Sequence, residues 1–110
     1  MRSKTFVAVS ALALLLGAPQ SGKAVSGYLD AFNAKYGTSA TRLNRCLLCH
    51  TSAIPTLNPY GRAVLGQLNR GFPIDSALTR IQRVDSDKDR FTNIREIRAR
   101  KFPGSKRSHP

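Results

Sequence analysis

The sequence has few of the side chains that small proteins use for cross-linking or for special chemistry. Of its 110 residues, two are cysteine, two are histidine and the single methionine is Met1. Two cysteines are too few for a scaffold held by several disulfides. Acidic residues are also scarce, with six Asp or Glu against 18 Lys or Arg, a formal charge of +12. No segment alternates with the period of a strand, and no internal repeat is visible. A chain of this length has room for one domain.

The first 24 residues are typical of a cleaved signal peptide. Arg2 and Lys4 precede an apolar run of 12 residues, 6–17, which is shorter than the about 20 residues that span a bilayer. Small residues place the cleavage after Ala24, with Ser26 as the alternative site. We therefore predict a periplasmic or secreted protein whose domain is 25–110, in which 15 basic residues face 6 acids.

Hydrophobic spacing predicts an all-α domain of about four short helices around 28–36, 59–70, 75–84 and 92–101. Ser26, Asn58 and Asp75 are expected to cap the first three helices, and Thr92 and Asn93 to start the fourth. Gly37 and Gly71 are placed to end the first two. The inward residues of the third helix are predicted to be Ala77, Leu78, Ile81 and Val84.

Both cysteines and one of the histidines lie within five consecutive residues, Cys46-Leu47-Leu48-Cys49-His50. This is the c-type haem attachment pattern. Two thiols three positions apart can each join one vinyl group of a porphyrin, and the adjacent imidazole then serves as the proximal ligand of the iron. The pattern predicts one covalent haem held by Cys46, Cys49 and His50.

Three other interpretations fit this segment less well. A thioredoxin-type motif requires a βαβ context, which the helical pattern lacks. A zinc site requires four ligands, and only His109 remains after these three residues. A disulfide between Cys46 and Cys49 would close a small ring and leave His50 without a role.

A haem would also supply apolar surface to a chain that is short for a self-sufficient core. The residues expected to pack around it are Phe32, Tyr36, Ile54, Leu57, Tyr60, Val64, Leu68 and Phe72.

The order FNAKYG, CLLCH, LNPYG and DSDKDRFTNIREI resembles that of small exported bacterial monohaem c-type cytochromes with a calcium-loop-like segment. The resemblance covers most of 28–97 and is most specific in CLLCH. It implies covalent haem through Cys46 and Cys49, His50 as the proximal ligand, and electron transfer in the cell envelope.

Small electron-transfer cytochromes c typically use a Met as the second axial ligand of the haem iron, and this Met raises the reduction potential. This sequence departs from that pattern. Without Met1 the domain has no methionine. The remaining options are His109, a weaker group such as a Lys, Asn58 or Tyr60, or an open site. We therefore predict a reduction potential below that of a comparable cytochrome with His/Met ligation.

The sequence favours an electron carrier over an enzyme. The alternative is a haem protein that binds small ligands or reacts with peroxide.

Four of the six acids lie in the loop 85–96, DSDKDRFTNIRE. The spacing matches an EF-hand calcium loop, which takes six to eight oxygen ligands. The predicted metal ligands are Asp85, Asp87, Asp89, the Phe91 carbonyl, Asn93 and Glu96.

Arg90 occupies the sixth position of this loop, where Gly normally makes the sharp turn. It is expected to adopt the left-handed region at a cost of about 1 kcal/mol. Lys88, Arg90 and Arg95 also offset the local negative charge. The alternative interpretation is a turn whose carboxylates pair with arginines and cap the last helix.

The basic C-terminal tail after Glu96 has five Lys or Arg, one His and no acid. Such charge predicts steering towards an acidic redox protein or an anionic membrane surface. No nucleic-acid motif is present, and we expect no nucleic-acid partner.

Overall fold

The computed structural model describes residues 23–110, with side chains from 27 onward. Nearly all of the predicted signal peptide, 1–24, lies outside the described residues. Within them the chain forms four α-helices and no strand: α1 (Lys23–Tyr36), α2 (Pro59–Asn69), α3 (Ile74–Arg80) and α4 (Asn93–Arg98). None of the described helices is long and apolar enough to cross a membrane. The prediction of an all-α chain with four short helices is confirmed for this part.

Helix α1 begins earlier than its predicted cap. Because the helix already includes Lys23, Ser26 lies inside it and the prediction of a Ser26 cap is wrong. Lys and Ala ahead of Ser26 are good helix formers, so the helix extends through them. Its end agrees with prediction: Gly37 has φ +64°, and its N–H donates to the Asn33 carbonyl at 2.8 Å.

Helix α2 begins and ends as the sequence predicts. The Asn58 Oδ1 accepts a hydrogen bond from the Gly61 N–H at 2.9 Å, and Pro59 is the first helical residue. Beyond its last residue, Asn69, Gly71 has φ +92° and turns the chain away. An asparagine cap followed by proline is therefore a sufficient local start signal here.

Helix α3 differs from prediction at both ends. It begins at Ile74 after Pro73, so Asp75 lies in the first turn and is not the cap. The Asp75 carboxylate instead pairs with the Lys35 Nζ of α1 at 3.0 Å. Val84 is 43% exposed, so the prediction that it faces inward is wrong. The helix ends at Arg80, and Val84 lies beyond its last turn.

Helix α4 begins after Thr92, which confirms the predicted start, and the Thr92 Oγ1 caps the helix by accepting a hydrogen bond from the Arg95 N–H at 3.4 Å. The helix ends at Arg98, and Arg100 follows with φ +59°.

The core of the described residues lies between α1, α2, α3 and α4. Its fully buried members include Phe32 and Tyr60, whose rings meet edge to face at 6.2 Å. Val64 also belongs to this core, whereas Ile54 is 57% exposed. Part of the apolar set that was expected around a porphyrin thus packs against itself. The buried core residues are Phe32, Leu43, Leu48, Tyr60, Val64, Leu78, Ile81 and Ile97.

Candidate functional site

The three predicted haem-binding residues lie in one tight turn. Cys46 begins a short 3₁₀ helix, Cys46–Leu48, and its carbonyl accepts hydrogen bonds from the N–H groups of Cys49 at 3.2 Å and His50 at 3.0 Å. Both thiols are free, with Cys46 exposed and Cys49 half-buried. The turn therefore presents two thiols and one imidazole on adjacent backbone.

A backbone carbonyl holds the His50 ring. The His50 Nδ1 lies 3.0 Å from the Pro55 carbonyl oxygen. Because a carbonyl only accepts, Nδ1 carries the proton and Nε2 keeps a lone pair, as in a metal-ligating histidine oriented by a second partner. The loop is closed by the hydrogen bond from the Thr51 N–H to the Thr56 carbonyl at 2.8 Å.

Asn58 connects this turn to the start of α2. While its Oδ1 caps the helix, its Nδ2 donates to the carbonyls of Leu47 and Leu48, each at 3.1 Å, and approaches that of His50 at 3.4 Å. Sequence reasoning identified the cap but missed the second role, because local pattern gives no information on a partner ten residues away. Asn58 is thus a structural link and its amide is not free to bind iron.

Two glycines allow close packing around the same turn. A Cβ on Gly61 would overlap the Cys49 carbonyl oxygen, and a Cβ on Gly104 would overlap the Asn58 side chain. Helix α2 therefore packs directly against the backbone of the cysteine turn, and the C-terminal segment packs directly against the Asn58 side chain. Neither glycine was identified as a site residue from the sequence.

A cavity of about 340 Å³ lies beside His50. Its walls come from the cysteine turn, the start of α2 and the C-terminal segment, and contain no second histidine, lysine or methionine within the part of the chain that the structure describes. They consist of Leu47, His50, Thr51, Ser52, Asn58, Phe102, Gly104 and Ser105.

Two other candidates for a second axial ligand, His109 and Tyr60, are not part of these walls. His109 is exposed and stacks on Phe91 of the acidic loop, with ring centroids 5.9 Å apart. The Tyr60 hydroxyl is buried and has no hydrogen-bond partner among residues 27–110. Burial raises its pKa well above 10.0, with Tyr36 and Cys49 adding to the effect. A tyrosinate ligand from Tyr60 is therefore disfavoured in this arrangement.

The two cysteines differ in their surroundings. Burial raises the pKa of the Cys49 thiol to about 11, with a further contribution from the neighbouring Cys46. Cys49 is consequently a neutral thiol at physiological pH, whereas the Cys46 side chain is open to solvent.

The acidic loop brings four predicted ligands to one point. Oxygens of Asp85, Asp87, Asp89 and Glu96 all lie within 4.8 Å of one another. Asp87 is 3% exposed and Glu96 is 0% exposed. Both oxygens of each, together with Asp89 Oδ2, are buried without a hydrogen-bond partner among the described residues.

Burial and the neighbouring negative charges raise the pKa of two carboxyl groups in this cluster. Burial, aided by the nearby Asp87 and Asp89 charges, raises the pKa of Glu96 to about 9. Burial, aided by the neighbouring Asp89 carboxylate, raises the pKa of Asp87 to about 7. Removing five carboxylate oxygens from water without protein donors is costly, and a bound cation or protons would offset that cost.

The backbone of the loop folds inward around the cluster. Asp85 accepts hydrogen bonds from the N–H groups of Asp89 at 3.1 Å and Arg90 at 2.8 Å. Arg90 has φ +78°, so it adopts the predicted left-handed conformation in the absence of glycine. Lys88 also has positive φ, 57°.

One predicted calcium ligand, Asn93, has other hydrogen-bond partners. The Asn93 Nδ2 donates to the Ile81 carbonyl at 2.9 Å and to the Ser86 Oγ at 2.8 Å, and its Oδ1 accepts from the Ser86 N–H at 3.3 Å. The Asn93 side chain therefore closes the loop instead of facing the carboxylates. The Phe91 N–H donates to Asp89 Oδ1 at 3.0 Å, so the Phe91 backbone lies beside the cluster.

The surface around the cysteine turn is basic. No Asp or Glu occurs in 31–74 or after Glu96. The Arg42 guanidinium lies over the Phe102 ring at 5.5 Å, and Arg62 donates to the Leu57 carbonyl at 3.0 Å. Since Phe102 lines the cavity beside His50 and Leu57 pairs with His50, both arginines border this site.

Comparison with protein-family models, with curated proteins and with solved structures found no match to this chain.

Proposed function

We propose that this protein is an exported c-type cytochrome that carries single electrons through one covalently attached haem. The supporting observation is the hydrogen bond between His50 Nδ1 and the Pro55 carbonyl, next to two free thiols in the same turn. That bond orients the imidazole and selects the tautomer whose Nε2 can bind a metal. The residues of this site therefore fit the group that CLLCH predicts.

A bound haem would supply the one-electron couple. The chain's own contribution is to hold it: Cys46 and Cys49 would form the two thioether links, and His50 would ligate the iron. Asn58 keeps the turn against α2 through its bonds to the Leu47 and Leu48 carbonyls. A fixed ligand and a packed surround limit reorganisation when charge changes, which suits an electron carrier.

The test is to produce the full chain in a bacterial host that matures c-type cytochromes and to compare wild type, C46S, C49S, H50A and H109A. We expect wild type and H109A to show haem absorbance and a mass increase of one haem. C46S and C49S should lose one thioether link, and H50A should lose or alter ligation. Bare thiols or a cystine in secreted wild-type protein would overturn the proposal.

The alternative, a haem protein that binds small ligands, is supported by the walls of the cavity beside His50. They provide no strong second ligand within the described residues. Electron paramagnetic resonance of the ferric protein separates the two functions. A low-spin signal unchanged by cyanide supports the carrier, whereas a high-spin signal that shifts with cyanide supports ligand binding.

We also propose that the loop 85–96 binds one Ca²⁺ through Asp85, Asp87, Asp89 and Glu96. The supporting observation is the set of five buried carboxylate oxygens that have no hydrogen-bond donor in the part of the chain that the structure describes. A divalent cation that prefers oxygen ligands satisfies all of them at once. Such an ion would fix the connection between α3 and α4.

The calcium proposal is tested by calorimetry and thermal melting with Ca²⁺ or EGTA. Wild type and D30N, which removes an exposed acid outside the loop, should bind Ca²⁺ and melt at a higher temperature in its presence. E96Q should lose both responses. A wild-type melting temperature that does not change at millimolar Ca²⁺ would contradict the site.

The partner that fits the basic border of the site is an acidic redox protein. Arg42 and Arg62 lie next to the cavity beside His50, where opposite charge on a partner would increase the encounter rate. R42Q and R62Q should slow electron transfer at low salt, whereas R83Q, an exposed arginine on α3's C-terminal side, should have less effect. Rates that do not depend on ionic strength would contradict this partner, and binding to anionic vesicles would favour the membrane surface.

A further inference from the structure

A second cavity, of about 370 Å³, lies between the end of α1 and helix α4. It shares no residue with the cavity beside His50. Three of its seven lining side chains are cationic and none is acidic. The lining consists of Lys35, Tyr36, Gln82, Ile94, Ile97, Arg98 and Arg100.

The positive charge of this cavity is only partly compensated. Lys35 is 18% exposed and pairs with Asp75, which is not part of the wall. Neither Arg98 nor Arg100 has a carboxylate within 4.0 Å among residues 27–110. Arg100 donates once, from Nη1 to the Ile97 carbonyl at 3.3 Å. Most of the donor groups of the two arginines therefore remain available to a ligand.

The polar and apolar parts of the wall are arranged for an amphipathic anion. The Tyr36 hydroxyl accepts a hydrogen bond from the Gln82 Nε2 at 2.9 Å, so its own O–H is free to donate. Ile94 and Ile97 supply an apolar surface in the same cavity. Small-molecule sites commonly combine an apolar wall with a few converging polar groups.

The end of α4 brings Arg100 to the wall of this cavity. Its φ is +59°, and the helix ends in a Schellman motif, in which the Arg100 N–H donates to the Ile97 carbonyl at 3.0 Å and the Lys101 N–H to the Glu96 carbonyl at 2.8 Å. This helix end places the two arginines, Arg98 and Arg100, on the same cavity wall.

We propose that this cavity binds a small organic oxyanion with at least two negative charges, a phosphate or dicarboxylate group on a short apolar body. The guanidinium groups of Arg98 and Arg100 bind the oxyanion, as arginine does with carboxylates and phosphates. The apolar body lies on Ile94, which is half-buried. This site depends neither on a haem nor on the acidic loop being occupied.

The experiment measures binding of phenyl phosphate, phthalate and inorganic phosphate by NMR at constant ionic strength. Phenyl phosphate or phthalate should bind more tightly than inorganic phosphate and shift the Gln82 side-chain amide and Ile97. Because an ionic hydrogen bond is lost, R98Q should weaken binding by about tenfold. K106Q removes the same charge from an exposed position outside the cavity and should have less than about a twofold effect.

The variant R100G separates ligand binding from thermal stability. Glycine accepts positive φ without strain, so the thermal stability of R100G should equal or exceed that of wild type while its ligand binding weakens. Equal weakening in R98Q and K106Q would show general attraction to a basic protein and overturn the site. Failure of wild type to saturate with all three probes would overturn it as well.

Discussion

At the scale of single residues, Asn58 stabilises two parts of the fold at once. It caps α2 and donates to backbone carbonyls of the cysteine turn. Replacing it with Ala removes a cap worth about 1 kcal/mol and leaves buried carbonyls without a donor, at a further cost of about 1–3 kcal/mol. We expect N58A to lower the free energy of unfolding by about 2–4 kcal/mol in urea denaturation.

A matched pair of variants separates the two roles of Asn58. N69A changes an exposed asparagine at the end of α2 and should stay within about 0.5 kcal/mol of wild type. N58D keeps the capping oxygen but loses the donor to Leu47 and Leu48. If N58D were as stable as wild type, the link to the cysteine turn would have no energetic value.

At the scale of elements, the contact between α2 and the cysteine turn depends on a glycine in the first turn of the helix. A Cβ at Gly61 would overlap the Cys49 carbonyl, whereas a Cβ at Gly66 of the same helix meets nothing within 4 Å. We expect G61A to destabilise the protein by about 1–3 kcal/mol through overpacking. G66A should stabilise it by about 0.5–1 kcal/mol, because alanine is the better helix former.

Thermal melting of both variants tests this contact. The two substitutions are chemically identical and lie in one helix, so helix propensity affects them alike. Opposite signs therefore report the close approach at Gly61. Equal stabilisation by G61A and G66A would mean that α2 does not lie against the Cys49 carbonyl.

At the scale of the whole molecule, the acidic loop makes stability depend on pH. In calcium-free protein, the pKa of Glu96 is raised from 4.5 to about 9 and that of Asp87 from 3.8 to about 7, mainly by burial. The folded state then holds protons that the unfolded state has released. The free energy of unfolding of calcium-free protein therefore falls as pH rises from ~4 to ~9.

Urea denaturation in EGTA between about pH 5 and about pH 8.5 checks this dependence. E96Q should be more stable than wild type at the upper end and should show a flatter profile, because its amide does not ionise. Saturating Ca²⁺ should remove the decline in wild type. A wild-type profile in EGTA that rises with pH would contradict the buried, unpaired state of these carboxylates.

The sequence by itself determined the local features whose signals lie within a few residues. It located the cap at Asn58, the start of α4 at Thr92, the turn at Gly37 and the left-handed Arg90, because capping and backbone conformation depend on near neighbours. It also identified the cysteine turn and the acidic loop, since both chemistries require fixed spacings.

Only the tertiary structure decided which distant groups meet. Asp75 pairs with Lys35 instead of capping α3, and the Asn93 amide closes the loop instead of facing its carboxylates. His109 stacks on Phe91, away from the cavity beside His50. These contacts join residues far apart in the chain, and their energies arise from packing and burial, which no local pattern encodes.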